Sequence, residues 1–233
     1  IKVHREAPMP EAHTETLSKW IRKHKPATKP TKGPVIFFQG CAGGYFETET
    51  SVKSIEVLEH LGYEVLVPKQ GCCGLAQQSN GLFKQSTKTL LDICDKIIAR
   101  GKNIPVVSSS GSCIGMIKHE AHEIMGVDDP RLHDVSVRSF DFCEFLMEEY
   151  RNGEIDLSDL KPLDLTVPYH QPCQVKSQGM GFPAVQLMEL IPGVKVLESN
   201  EPCCGIAGTY GLKAERYEVS QRIGAKVFEH MRE

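Results

Sequence analysis

Several familiar signatures are missing from this sequence of 233 residues, and each absence narrows what the chain can do. No apolar run approaches the roughly 18 residues of a membrane-spanning helix. The first residues are mixed and polar, unlike the apolar core of a secretion signal. There is no Walker loop, no Gly-x-Gly-x-x-Gly dinucleotide fingerprint and no Ser/His/Asp set. We therefore expect a cytoplasmic protein, and we assign no catalytic residue.

The chain also has no large excess of charge of either sign. The formal net charge is −3, which argues against a nucleic-acid partner held by bulk electrostatics. The chain is 40% hydrophobic and 24% charged, which is enough for a core in one large or two small domains. Composition therefore indicates a globular protein and leaves its chemistry to the motifs.

Cysteine is abundant, with nine in the chain. Residues 70–76 and residues 201–207 each contain Cys-Cys-Gly. A lone cysteine precedes each pair at nearly the same distance, 31 positions in the first case and 30 in the second. Such repetition indicates a duplicated structural unit. Clustered thiols in a chain without a secretion signal favour metal or redox duty in a reducing compartment.

The first repeat, residues 34–125, alternates short apolar runs with amphipathic segments. This order predicts βαβαβα, the pattern of a doubly wound parallel sheet. The predicted strands are 35–38, 63–67 and 104–107, and the predicted helices are 48–61, 80–100 and one that begins at Ile114. The fold class that we expect is therefore α/β, with two tandem Rossmann-like units.

The second repeat, residues 163–233, restarts the pattern in the same register. Its predicted strands are 163–169 and 194–197, and its predicted helices are 182–191 and 211–231, the latter with Tyr217, Ile223 and Val227 as its apolar stripe. It ends before a third strand, so we expect its site to be incomplete and to load less fully than the first.

Two segments lie outside the repeats. Residues 1–33 are basic and punctuated by proline, and we interpret them as a linker or docking arm. A surface helix lying on the first repeat is the alternative. Residues 126–162 are expected to be a connector that contains one helix, over 137–150.

The repeated cysteines all follow predicted strands, at the sheet edge where open α/β folds bind ligands. Iron–sulfur ligation is the sharpest interpretation, because such clusters need several converging thiolates. Structural zinc is a second, although Cys-x-x-Cys knuckles are absent. Thiol–disulfide exchange and inert buried thiols are the others. The candidate ligands are Cys41, Cys72, Cys73, Cys113, Cys173, Cys203 and Cys204.

Three further residues have side chains that could bind a metal or a cluster, and each also has a structural explanation. Cys94 falls on the apolar stripe of its predicted helix and Cys143 lies among aromatic residues, so we expect both in the core. His170 precedes a candidate ligand by three positions. It is either a hydrogen-bond donor to a cluster or its ligand, or a structural histidine.

The repeated unit resembles the CCG cysteine-rich domain found in the B subunit of heterodisulfide reductase and its relatives. A closer resemblance is to the family formed by the C subunits of anaerobic glycerol-3-phosphate dehydrogenases. It rests on residues 167–173 and 203–213, with Cys-Cys-Gly-Ile-Ala-Gly-Thr-Tyr-Gly, and on residues 107–113 and 217–224. The similarity covers nearly the whole chain.

This resemblance implies an iron–sulfur electron-transfer subunit. In the family, electrons leave glycerol 3-phosphate at FAD on flavoprotein dehydrogenase subunits and reach menaquinone at the membrane. The chain would then lie peripherally at the inner face of the cell membrane. Related CCG proteins hold [4Fe–4S] clusters, some of them noncubane, and a few of their sites are assigned to zinc. Subunits of lactate or glycolate oxidases, of heterodisulfide reductases, and structural zinc docking modules are the alternatives.

Three departures from the family pattern qualify the expectation. The Cys-x-x-Cys-x-x-Cys runs of a ferredoxin-like segment are not present, which suggests a fragment or a separately encoded piece. Ser110 stands where heterodisulfide reductase relatives have a fifth cysteine, which disfavours five-cysteine noncubane ligation. Gln174 stands where many relatives have histidine.

Overall fold

A computed structural model describes residues 2–232 and shows parallel β-sheets flanked by helices, which confirms the expected α/β class. The chain divides into two bodies. The N-terminal body comprises residues 11–145, and the C-terminal body comprises residues 146–232 together with residues 2–10. Each body contains one parallel sheet and one of the two Cys-Cys-Gly motifs.

The elements follow the chain as twelve α-helices and six strands within the described residues, with two short helices of other types. The N-terminal body contains α1 (Leu17–Lys23), β1 (Pro34–Phe37), α2 (Gly40–Tyr45), α3 (Thr48–His60), β2 (Glu64–Leu66), α4 (Leu75–Gln78), α5 (Phe83–Ile98), β3 (Val106–Ser108), α6 (Gly111–Gly115), a π-helix (Met116–Glu120), α7 (Ala121–Glu123), α8 (Pro130–Ser136) and β4 (Ser139–Asp141). These are followed by α9 (Phe142–Arg151), β5 (Leu165–Tyr169), α10 (Cys173–Lys176), α11 (Pro183–Glu189), β6 (Val194–Glu198), a 3₁₀-helix (Tyr210–Leu212) and α12 (Tyr217–His230).

The N-terminal body has a four-stranded sheet in the order β2-β1-β3-β4, with every neighbouring pair parallel. β1 and β3 occupy the centre, and three of the four β1 residues and all of β3 are buried. Helices on both faces explain why these strands are continuous apolar runs rather than alternating ones. The core includes Phe38, Leu90, Ile93 and Met116.

The fourth strand was not expected from the sequence. The predicted helix over 137–150 begins at Phe142 instead, and Ser139–Asp141 pairs with β3. Three residues of mixed polarity carry no detectable period, so only pairing with a neighbour can define such a strand. Part of the predicted connector thus extends the first sheet.

Residues 11–33 belong to the N-terminal body. Leu17 of α1 is completely buried, and Thr16 caps the helix by accepting a hydrogen bond from the Lys19 amide. Downstream of α1, His24 pairs with Glu59 of α3, with 2.8 Å between Nε2 and Oε2. Residues 11–33 of the segment interpreted as a linker or docking arm therefore pack against this body through a buried side chain and a shielded hydrogen bond.

The C-terminal body is built on two parallel strands, β5 and β6, with Tyr169 opposite Glu198 at their carboxyl ends. Residues 2–10 join this body: Val3 forms a bridge with Lys213, and the His4 ring stacks on Tyr217 at 4.2 Å.

The last helix, α12, begins six residues later than predicted and buries Ser220, Gly224 and Val227. Ile223, expected in the apolar stripe, is 52% exposed. That part of the prediction is wrong because Ser220 and Gly224, two small residues, form the buried face together with Val227.

None of the helices between residues 2 and 232 is long and apolar enough to cross a membrane.

The burial of Leu17 predicts that residues 11–33 contribute to stability. Leu17→Ala removes a completely buried side chain and should cost about 2–5 kcal/mol of unfolding free energy. Val57→Ala on α3, which alters a side chain that is 40% exposed, should cost no more than about 0.5 kcal/mol. Urea unfolding followed by circular dichroism measures both variants, and equal losses would contradict the assignment of this segment to the folded body.

Candidate functional site

Four cysteines of the N-terminal body follow the carboxyl ends of adjacent strands. Cys41 lies in the first turn of α2, directly after β1, and Cys113 lies in the first turn of α6, after β3. Cys72 and Cys73 occupy the loop between β2 and α4. Since β1 lies between β2 and β3 in a parallel sheet, the three loops meet at one edge.

The four sulfurs form a chain of contacts within hydrogen-bonding distance. Cys72 accepts a hydrogen bond from Cys41, which lowers its pKa, and Cys73 contacts the same sulfur. Cys113 accepts from Cys73, which lowers its pKa in the same way. The donors Cys41 and Cys73 respond in the opposite direction, with raised pKa values, because their protons are held by neighbouring sulfurs. The arrangement thus supports two thiolates beside two thiols.

A glycine turn presents the paired cysteines. Gly74 has a φ of +93°, its amide donates to the Cys72 sulfur at 3.4 Å, and its carbonyl accepts from the Ser86 hydroxyl at 2.9 Å. This left-handed backbone is open to glycine and strained for other residues. The bond to Ser86 of α5 fixes the turn to the helix behind it.

The second motif repeats this arrangement atom for atom. Gly205 has a φ of +84°, its amide donates to the Cys203 sulfur at 3.3 Å, and its carbonyl accepts from the Ser220 hydroxyl at 2.9 Å. A Cβ on Gly224 would collide with the Cys204 carbonyl, which explains why α12 turns small residues towards the motif.

A glutamine joins two of the cysteine loops in the N-terminal body. The Gln70 side-chain amide donates to the Phe37 carbonyl at 2.6 Å and accepts from the Gln39 amide at 2.8 Å. Gln70 lies two positions before Cys72 and Gln39 two before Cys41. The spacing of the lone and paired cysteines is therefore held by one side chain.

The C-terminal body brings its three cysteines together in a looser cluster. Burial raises the pKa of Cys173, and the charges of Cys203 and Cys204 raise it further, which places the three sulfurs near one another. Cys173 opens α10 and is exposed. Lys176 of α10 donates to the Glu201 carbonyl at 3.0 Å and so ties the two cysteine loops.

The other two cysteines stand apart from these clusters. Cys94 is completely buried in the core, as expected, and burial raises its pKa to about 12. Cys143 is half-buried, and burial raises its pKa to about 12 as well. Both remain protonated thiols at neutral pH, and neither shift has a neighbouring sulfur as its cause.

The two clusters suit a thiolate-ligated group by their donor chemistry. The first site has four cysteines and the second has three. In each site a glycine amide donates a hydrogen bond to one cysteine sulfur. Gly40 leaves room for the Cys113 sulfur, since a Cβ at this position would lie only 3.0 Å from that sulfur. Among residues 2–232, no group of three or more His, Cys, Asp or Glu side chains is arranged so that it could hold a metal ion.

Ser86, Ser220 and Gln70 were missed by sequence reasoning. Ser86 follows its glycine by 12 positions and Ser220 follows Gly205 by 15, so no shared spacing announces them. Gln70 is adjacent to the motif, but nothing in the sequence shows that its side chain reaches back to the end of β1.

The fold and the two thiol clusters define a duplicated cysteine-rich α/β protein. The chain belongs to the CCG cysteine-rich domain family, which matches residues 35–118 and 167–233 and so includes all seven candidate ligands. This confirms the family resemblance drawn from the sequence.

Curated relatives span several kinds of redox protein. The chain is 31% identical over its full length to the C subunit of anaerobic glycerol-3-phosphate dehydrogenase from Escherichia coli, of which it covers 58%. It is 28% identical over 85% of its length to lactate utilization protein A of Oceanobacillus iheyensis, covering 80% of that protein. It is 29% identical over 82% of its length to an uncharacterized iron–sulfur protein of Methanococcus maripaludis, covering 36% of it. The chain thus spans little more than half of the Escherichia coli relative.

The Gly74 turn yields a test of the motif geometry. Gly74→Ala adds a Cβ 2.7 Å from the Ser86 hydroxyl and 3.0 Å from the Ser86 carbonyl, in a left-handed backbone. Gly81→Ala is the matched control, because φ is +76° there but nothing lies within 4 Å. Backbone strain should cost each variant about 1–2 kcal/mol, and crowding should add about 1–3 kcal/mol at Gly74 alone. Urea unfolding of the metal-free variants gives the comparison, and equal losses would contradict a tight turn.

The sulfur pKa directions predict which thiol reacts first in metal-free protein. Cys72 is thiolate above its lowered pKa, so its alkylation by iodoacetamide should change little between pH 6 and 8. Cys41 is more exposed but keeps its proton, and Cys94 stays protonated below pH 12. Peptide mass spectrometry of briefly alkylated, reduced protein reads the order, and faster modification of Cys41 than of Cys72 would refute it.

Proposed function

We propose that this chain is an iron–sulfur electron-transfer module. One group is held by Cys41, Cys72, Cys73 and Cys113, and a second is held by Cys173, Cys203 and Cys204. The observation that carries the proposal is the convergence of the first four sulfurs at one sheet edge. Two of them have lowered pKa values, and metal ligation requires the thiolate.

Iron–sulfur clusters, of the [4Fe–4S] type in our proposal, supply one-electron redox chemistry when bound. The chain contributes the thiolates, the spacing of their loops and hydrogen bonds to sulfur. The amides of Gly74 and Gly205 each donate to a ligand sulfur, and such bonds tune the reduction potential of a cluster. Ser86 and Ser220 hold those amides in place through the glycine carbonyls.

The finer assignment is to an anaerobic glycerol-3-phosphate dehydrogenase. In this proposal a flavoprotein partner with FAD oxidises glycerol 3-phosphate, and the chain relays the electrons to menaquinone. Identity of 31% over the whole chain to the C subunit of the Escherichia coli enzyme supports this choice. Quinone contact would be peripheral, at the inner face of the cell membrane.

Lactate utilization is the second candidate, because the chain covers 80% of lactate utilization protein A of Oceanobacillus iheyensis. A structural zinc module is less favoured. Structural zinc sites usually use Cys-x-x-Cys knuckles, which this sequence does not contain.

Metal analysis after anaerobic purification tests the function. We expect brown protein with iron and acid-labile sulfide. Cys73→Ser should remove most of the iron of the first site, because Cys73 contacts both Cys72 and Cys113. Cys94→Ser is the matched control and should keep its iron, because Cys94 lies in the core away from the sulfurs.

The outcomes separate the candidates. Colourless protein with stoichiometric zinc would overturn the electron-transfer proposal. For the finer assignment, glycerol 3-phosphate should bleach the iron–sulfur absorbance only when the flavoprotein subunits are present. Bleaching by lactate with a different partner flavoprotein would favour the second candidate.

A further inference from the structure

His170 lies directly after β5 and carries a ring nitrogen without a partner. Its Nδ1 hydrogen bonds to the Ser199 hydroxyl at 2.9 Å, whereas Nε2 is shielded from solvent and has no hydrogen-bond partner among the described residues. Buried polar groups are nearly always hydrogen-bonded, because an unpaired one forfeits its hydration without return. The orphaned Nε2 therefore indicates a contact that the protein chain alone does not supply.

The hydrogen-bond network allows Nε2 to act as a donor. Ser199 Oγ accepts from the Glu201 amide at 3.4 Å and keeps its own hydrogen, which it can donate to His170 Nδ1. A neutral imidazole that accepts at Nδ1 carries its proton at Nε2. In that tautomer the missing partner is an acceptor, such as a sulfur.

The internal repeat shows what this position faces. Residues 170–173, His-Gln-Pro-Cys, stand in register with residues 38–41, Phe-Gln-Gly-Cys, and share the glutamine. His170 thus takes the place of Phe38, which is completely buried.

In the N-terminal body this position borders the thiol cluster. The point where a Gly40 Cβ would stand lies 3.0 Å from the Cys113 sulfur and 3.8 Å from Phe38 Cε1. Phe38 also belongs to the same buried cluster of side chains as Cys73 and Cys113, and Cys204 is the counterpart of Cys73 in the second motif. In the first site the ring at this register is apolar, and in the second it carries a hydrogen-bond donor.

We propose that the Nε2–H of His170 donates a hydrogen bond to a sulfur of the cluster held by Cys173, Cys203 and Cys204. This inference rests on the proposed function. His170 is a positioning residue that acts through the cluster, and its bond stabilises the added electron. It therefore raises the reduction potential of the second site and leaves the first site unaffected.

An electron paramagnetic resonance redox titration of the iron-loaded full chain tests the bond. His170→Leu should lower the midpoint potential of one cluster signal and leave the other in place. His170→Gln, which keeps an N–H near the Nε2 position, should recover most of the shift. Ser199→Ala, which frees the ring without removing it, should give a smaller shift in the same direction.

A matched histidine of the same body provides the control. His230 Nε2 is already paired, with the Leu197 carbonyl at 2.7 Å, so His230→Leu should move neither potential. Electron–nuclear double resonance should detect an exchangeable proton coupled to the second cluster, and this coupling should be missing in His170→Leu.

Three results would overturn the inference. The first is an unchanged potential in iron-loaded His170→Leu. The second is a strong nitrogen coupling that shows direct ligation by His170. The third is loss of the second cluster in both His170→Leu and His170→Gln. Wild-type protein without iron would instead overturn the proposed function itself, so the two failures are distinguishable.

Discussion

The left-handed glycine of the Cys-Cys-Gly turn is the constraint on which both sites depend. At Gly74 and Gly205 the amide faces a cysteine sulfur, while the carbonyl faces a serine hydroxyl on a helix behind the turn. In both turns these two bonds are made at a positive φ, which a side chain would oppose. One backbone torsion thus links cysteine presentation to helix packing in each body.

Parallel strands supply the rest of the arrangement. Because neighbouring strands end at the same edge, cysteines separated by some thirty residues in sequence become neighbours in space. The two sites are nevertheless unequal. The first gathers four sulfurs and is bordered by Phe38, whereas the second gathers three and has His170 at the matching position. Under the proposed function, these different borders would give the two clusters different reduction potentials.

Much of this could be predicted from the sequence, because the signal was repeated. Six strand and helix positions in the first repeat follow apolar periodicity, and the cysteines follow the strands. What escaped was non-local. β4 is defined by pairing with β3, α12 turns Gly224 inward to meet the Cys204 carbonyl, and Gln70 bridges two loops. None of these contacts leaves a periodic trace, since each depends on a partner far along the chain.

The placement of residues 2–10 has a consequence for how the protein can be built and joined to others. These residues precede the N-terminal body in the chain, yet their bridge from Val3 to Lys213 and the stacking of His4 on Tyr217 involve residues that follow that body. Residues 2–10 can therefore complete these contacts only after the N-terminal body has been synthesised. Any polypeptide attached upstream of residue 2 would therefore be joined to the C-terminal body, which contains the second cysteine cluster, and not to the N-terminal body.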